Sequence, residues 1–150
     1  MTREAIGAVV DGAGAEVRLE DLTIDAPGPG EVLVRLAASG VCHSDLWAIE
    51  NGNWGAPFPM LLGHEGAGVV EEVGGGVETL REGDPVVLAW AVPCGTCGPC
   101  RRGVPRRCSH AWQQPPRVRR ARDAAPLAGT LSLGTLATRT VVHAAQAIPM

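Results

Sequence analysis

Cys94, Cys97, Cys100 and Cys108 form a Cys-x2-Cys-x2-Cys-x7-Cys run inside fifteen residues, with Gly95, Gly98, Pro99 and Gly103 between them. Thiolates spaced this closely can enclose one metal ion with little surrounding core, and a four-thiolate shell leaves no position for water or substrate. The run predicts a structural zinc site in a lobe over about residues 92–110. Two disulfides are the competing arrangement, and they need an oxidising compartment. Arg3 and Glu4 lead into only a short apolar run before Asp11-Gly12, which does not resemble a secretory leader. The fifth cysteine, Cys42, also leaves an odd number for pairing. Zinc is the expected occupant and the cytoplasm the expected location.

A chain of 150 residues suits one domain with a sizeable core. With one Phe, four Trp and no Tyr, that core must come from Val, Leu, Ile and Ala. Twenty Gly and twelve Pro favour short strands and turns over long helices. No apolar stretch reaches the roughly twenty residues of a membrane span. Residues 1–100 hold fifteen acids and four arginines, whereas residues 101–150 hold nine arginines and one acid. Eight of those arginines lie between Arg101 and Arg122, beside the cysteine run, where nucleic acid is a conceivable partner. Only Trp112 interleaves them and no recognition helix is visible, so a solvated basic loop is the favoured reading.

Partial alternation over residues 5–11, 15–24 and 31–37, broken by Gly12-Ala13-Gly14 and Pro27-Gly28-Pro29-Gly30, predicts three strands of a barrel or sandwich. A short helix is expected after Cys42, capped by Ser44 or Asp45 and ended at Asn51-Gly52-Asn53. Residues 64–73, 84–92 and 138–143 read as further strands, and 111–128 as a polar, arginine-rich loop.

Cys42 lies in Gly40-Val41-Cys42-His43-Ser44-Asp45, and Gly63-His64-Glu65-Gly66-Ala67-Gly68 follows about twenty residues later. A thiolate and an imidazole suit zinc, and a neighbouring hydroxyl suits proton transfer, although an isolated Cys and His pack in cores just as well. In this order, with the four-cysteine lobe behind them, these segments resemble the zinc-dependent alcohol dehydrogenases of the medium-chain dehydrogenase/reductase family. The resemblance spans nearly the whole chain. Asn53-Trp54-Gly55-Ala56-Pro57 and Val92-Pro93-Cys94-Gly95 are most similar to the branch containing thiol-adduct formaldehyde dehydrogenases.

The resemblance implies a mainly β, GroES-like, partly open barrel with short helices and a zinc-binding lobe, the catalytic domain of an oxidoreductase. It implies Cys42 and His64 as ligands of a catalytic zinc, Glu65 as a transient ligand or field-tuning carboxylate, and Ser44 as the proton-relay hydroxyl. Asp45 would stand behind the ligand histidine. His43 would contact the cofactor pyrophosphate or stand merely exposed, and Trp54 and Trp90 would line the alcohol pocket or pack in the core. The implied reaction interconverts alcohol and aldehyde, with zinc polarising the oxygen, Ser44 carrying the proton and NAD(P) accepting hydride.

Two features depart from the family. No Gly-x-Gly-x-x-Gly occurs in the chain, so the NAD(P)-binding Rossmann domain is expected to be missing, along with the third catalytic zinc ligand. His110 and His143 are candidate substitutes for it, but neither sits at the matching position, and both read better as surface or strand histidines. Trp47 stands where several members carry a relay histidine. The expectation is a truncated product, a fragment or half of a split enzyme, inactive alone. Its partners would be a small alcohol or aldehyde and a separate coenzyme-binding chain or further copies of itself. The alternatives are a catalytically dead, zinc-stabilised remnant and a zinc-knuckle binding module.

Overall fold

A computed structural model describes residues 2–52, 57–110 and 117–150. Strand β1 (Arg3–Val10) pairs antiparallel with β2 (Arg18–Ile24) over a seven-residue register from Arg3↔Ile24 to Val9↔Arg18. β2 continues into β7 (Val118–Arg120), β7 into β8 (Pro126–Gly129), and β8 into the short β4 (Met60–Leu61), which returns to β1. These five strands close a small barrel. A second sheet has the order β10 (Ala147–Pro149), β6 (Pro85–Leu88), β5 (Glu65–Val73), β3 (Glu31–Gly40) and β9 (Arg139–His143). The expected mainly β, barrel-based architecture is what forms, with one sheet closed and the other open.

Alternation explains the barrel strands: Ala5 and Val9 of β1 and Leu22 and Ile24 of β2 turn inward, onto Leu33, Leu61, Val118, Leu127 and Val141. Gly7 shares that inward face because a Cβ there would meet Leu61 Cδ1 at 2.6 Å and Leu22 Cδ1 at 2.7 Å. β3 is buried on both faces from Glu31 to Val34, as a strand between two packed layers must be. Leu33 faces the barrel core, whereas Val32 and Val34 join Val70, Val86, Leu133 and Val142 behind it.

Several elements differ from the sequence expectation. The loop foreseen over 111–128 contains β7 and β8. Their four-residue-or-shorter runs carry only Val118 and Leu127 as buried aliphatics, too little apolar periodicity to stand out. Arg120 is buried there too, matched by Asp11, Glu20 and Asp123 at 2.8, 3.5 and 3.3 Å. The strand foreseen over 84–92 spans only Pro85–Leu88. The helix is α1 (His43–Asn51), and its N-cap is Cys42 rather than Ser44 or Asp45. Asp45 occupies the third helical position and its Oδ2 accepts from the Cys42 N–H at 2.9 Å, the reciprocal half of a capping box.

Candidate functional site

The first constellation arises from the β3–β5 register. Gly40, the last residue of β3, is directly opposite Glu65, the first of β5. The chain therefore leaves β3 into Val41-Cys42 where His64 enters β5, and residues twenty-two apart in sequence meet. A Cβ on Gly40 would collide with the Glu65 carboxylate, so glycine there lets Glu65 lie across the strand. Cys42, His64 and Glu65 offer ligand atoms that all lie within 4.8 Å of one another.

The segment that carries His64 is pinned from three sides. Leu62 N–H donates to Ala8 O (3.0 Å), Thr135 N–H to Gly63 O (2.9 Å) and Leu136 N–H to Leu62 O (2.8 Å). Gly63 adopts φ +93, where an L side chain is strained, and a Cβ would strike the Leu136 backbone nitrogen. Val10, Ala48, Met60 and Leu62 pack α1 onto this region, so helix and loop share one anchorage.

Asp45 and His64 are both almost fully buried, at 2% and 5% exposure. Asp45 Oδ1 lies 3.2 Å from His64 Nδ1, and its other oxygen holds the Cys42 N–H. A carboxylate only accepts, so Nδ1 carries the hydrogen and Nε2 presents its lone pair. Nε2 is 3.1 Å from Ser44 Oγ and 4.0 Å from Glu65 Oε1. One buried carboxylate thus orients the imidazole and fixes the backbone of the cysteine beside it. A thiolate, an imidazole nitrogen and a carboxylate in this arrangement suit a borderline-soft divalent ion such as zinc.

His43 opens α1 and is exposed. Trp90 follows β6 and is 47% exposed, which rules out the core-packing alternative for it. Trp54 lies outside the described residues. Trp47, on the same helix as Ser44, is 39% exposed. Exposed Val41 and Leu46 extend an apolar surface around the start of α1.

In the second constellation, Cys94, Cys97, Cys100 and Cys108 bring their sulfurs within 4.8 Å of one another, and all are free thiols. One helical turn, α2 (Gly98–Arg101), and a 3-10 turn at Pro105–Arg107 fold the loop back on itself. Backbone N–H groups converge on sulfur: Cys94 N and His110 N on Cys108 Sγ (3.2 and 3.4 Å), and Cys97 N on Cys94 Sγ (3.3 Å). Cys97 Sγ is 3.9 Å from Cys108 Sγ, close to the roughly 3.8 Å edge of a tetrahedron with 2.3 Å metal–sulfur bonds. The Thr96 hydroxyl, reinforced by backbone N–H groups, brings the Cys94 thiol down to about 5. The Cys100 backbone brings Cys97 down to about 6, while desolvation pushes Cys100 up to about 12. The shifts at Cys94 and Cys97 both favour the thiolate, the form of cysteine that binds a metal.

His110 stands beside this cluster, its Nδ1 3.7 Å from Cys94 Sγ. His143 ends β9, and its Nδ1 accepts from Ala145 N–H at 3.1 Å as the cap of a 3-10 turn. His110 is exposed and His143 ends a strand, as the sequence reading has them. Gly40 and Gly63 lie within the two sequence motifs, but the packing that requires them, like that of Thr135, depends on contacts the sequence does not display. Thr135 is fully buried and its hydroxyl lies 2.9 Å from that of Ser39.

The arginines between 101 and 122 are partly consumed within the fold: Arg117 pairs with Glu31 (2.9 Å), Arg120 with Asp11, and Arg122 with Glu20 (3.4 Å). No helix among the described residues is long and apolar enough to cross a membrane.

The family profile for the alcohol dehydrogenase GroES-like domain matches residues 28–150. The NDMA-dependent alcohol dehydrogenase of Amycolatopsis methanolica is 46% identical over 101 residues, 67% of this chain and 27% of that protein. An S-(hydroxymethyl)glutathione dehydrogenase of Photobacterium damsela subsp. piscicida is 40% identical over the same shares. Among solved structures, the alcohol dehydrogenase zinc-binding domain protein of Burkholderia ambifaria superposes with a TM-score of 0.89 at 36% identity, covering 100% of this chain and 42% of its own. The chain therefore spans about a quarter of the length of the curated relatives it matches.

Proposed function

Because this chain belongs to the alcohol dehydrogenase GroES-like domain family, we propose that it is the substrate-side domain of a zinc-dependent oxidoreductase that interconverts small alcohols and aldehydes. The observation that carries this reading is the convergence of Cys42, His64 and Glu65 within 4.8 Å, with the Ser44 hydroxyl 3.1 Å from His64 Nε2. Zinc at that point supplies a Lewis acid for the alcohol or carbonyl oxygen, and NAD(P), held by a coenzyme-binding domain outside these residues, exchanges hydride.

The chain's own residues supply the rest. Cys42 and His64 are the metal donors, and Asp45 fixes the ring so that Nε2 keeps its lone pair for the ion. Ser44 takes the proton from the substrate hydroxyl as its own hydrogen passes to solvent. With Trp47 in the next turn offering no base, the proton route from Ser44 leads through water or the cofactor. Glu65, half exposed at 51%, would serve as a further donor or tune the field of a bound ion. The half-exposed Trp90 is the apolar wall available to a substrate carbon chain, and exposed His43 is placed for a cofactor phosphate. Cys94, Cys97, Cys100 and Cys108 would hold a second zinc, and a shell of four thiolates would leave it no position for substrate.

Metal analysis and turnover test this assignment together. The zinc-loaded chain should carry two zinc ions, and Cys42→Ser should keep one. Complemented with a coenzyme-binding domain, it should reduce NAD(P)⁺ in the presence of alcohol, and Cys42→Ser should abolish that activity. A variant that retains both zinc ions and full turnover would refute the assignment.

A further inference from the structure

The ring of His110 has no part in the proposed reaction and no place in the four-cysteine set, yet it lies at the edge of that set. Its Nδ1 is 3.7 Å from Cys94 Sγ. A nitrogen and a sulfur bound to one tetrahedral zinc at about 2.0 and 2.3 Å stand about 3.5 Å apart, so the observed separation is nearly that of two ligands. The ring is held there by its own backbone, whose N–H donates to Cys108 Sγ at 3.4 Å, and by Ser109 Oγ, 3.4 Å from Nδ1. Its neighbour Cys94 is exposed, whereas Cys108 is buried. The thiol most open to reagents is thus the one with an imidazole beside it.

We propose that His110 is a reserve zinc ligand of the four-cysteine lobe. When an electrophile such as a maleimide alkylates the Cys94 sulfur, a carbon–sulfur bond forms, the maleimide carbon takes a proton from solvent, and His110 Nδ1 takes the vacated vertex, so that a site of four thiolates becomes one of three thiolates and an imidazole. Both sets are accepted by structural zinc. The exchange needs only rotation of an exposed side chain on a turn already fixed to Cys108. It breaks one zinc–sulfur bond, forms one zinc–nitrogen bond and changes no oxidation state at the metal. The lobe would then survive damage at its most accessible ligand.

The proposal rests on the four cysteines holding zinc, which the zinc content of the unmutated chain tests separately from turnover. If the lobe carries no zinc, that reading fails and this one with it. Given lobe zinc, chelator competition should show Cys94→Ser still binding it, at least about tenfold more tightly than Cys94→Ser/His110→Ala, since loss of a ligand must cost no less than loss of a partner behind one. The cobalt-substituted single variant should show tetrahedral ligand-field absorption that changes when His110 is removed. Equal affinity and equal spectra in the two variants would overturn the proposal. Should Cys94→Ser fail to fold, the full chain can be treated with N-ethylmaleimide and followed by native mass spectrometry. Molecules whose single adduct maps to Cys94 should keep their lobe zinc, and the same adduct of His110→Ala should lose it. Identical zinc loss in the two proteins would also overturn it.

Discussion

Asp45 ties the candidate site together, because its two oxygens hold the Cys42 backbone and the His64 ring. Asp45→Asn keeps the shape but offers only one accepting oxygen. It should weaken zinc at Cys42 and His64 by about 10- to 100-fold, measured by competition with a chromogenic chelator, while leaving the lobe zinc in place. Gly63→Ala is a harsher change at the same site. The residue would be forced to keep φ +93 while its methyl presses on the Leu136 nitrogen. A loss of about 1–3 kcal/mol in urea unfolding is expected from the strained backbone alone, with displacement of His64 reported by the zinc content.

Strands and helices differed in how openly the sequence declared them. β1, β2, β3 and β5 were legible because each alternates or runs apolar for seven residues or more. β7 and β8 were hidden because they close the barrel with one buried aliphatic apiece and a buried arginine whose partners lie in the first and second strands' neighbourhood. Likewise Cys42, His64 and the four-cysteine run announced themselves as local patterns, whereas Gly40 and Thr135 matter through partners distant in sequence. The contact between β5 and β9 offers a test of element-scale electrostatics. Arg139 Nε and Nη2 donate to the two Glu71 oxygens at 2.6 and 3.0 Å, and this hydrogen bonding holds the Glu71 carboxyl below its ordinary 4.5. A carboxyl depressed in the folded state stabilises above its unfolded value and loses that contribution as pH falls through the folded one. The native chain should therefore exceed Glu71→Gln in melting temperature at neutral pH, and the gap should close on acidification below about 4. Shortening a barrel side chain tests packing instead: Leu22→Ala, at 1% exposure, should cost about 2–5 kcal/mol by chemical denaturation.

Across the whole molecule, metal and core hold different territories. Between Cys94 and His110 only Cys108 is buried, so the lobe has no apolar centre of its own, and with the proposed zinc bound its shape would depend on the ion. Stripping zinc with a strong chelator should raise amide exchange throughout residues 94–110 while β3 and β5 stay protected; simultaneous loss of both would contradict this division. The lopsided charge of the chain has its explanation at this scale as well. Glu31, Asp11, Glu20 and Glu71 from the acidic part meet Arg117, Arg120, Arg122 and Arg139 from the basic part. During synthesis the acidic part emerges first. Until residues 117–143 follow, β2 and β4 lack the strands that join them, β3 lacks β9, and four carboxylates lack their cations. The barrel is therefore a latch whose last pieces come from beyond the cysteine lobe, and a nascent chain paused at that lobe would expose open sheet edges to whatever chaperone attends it.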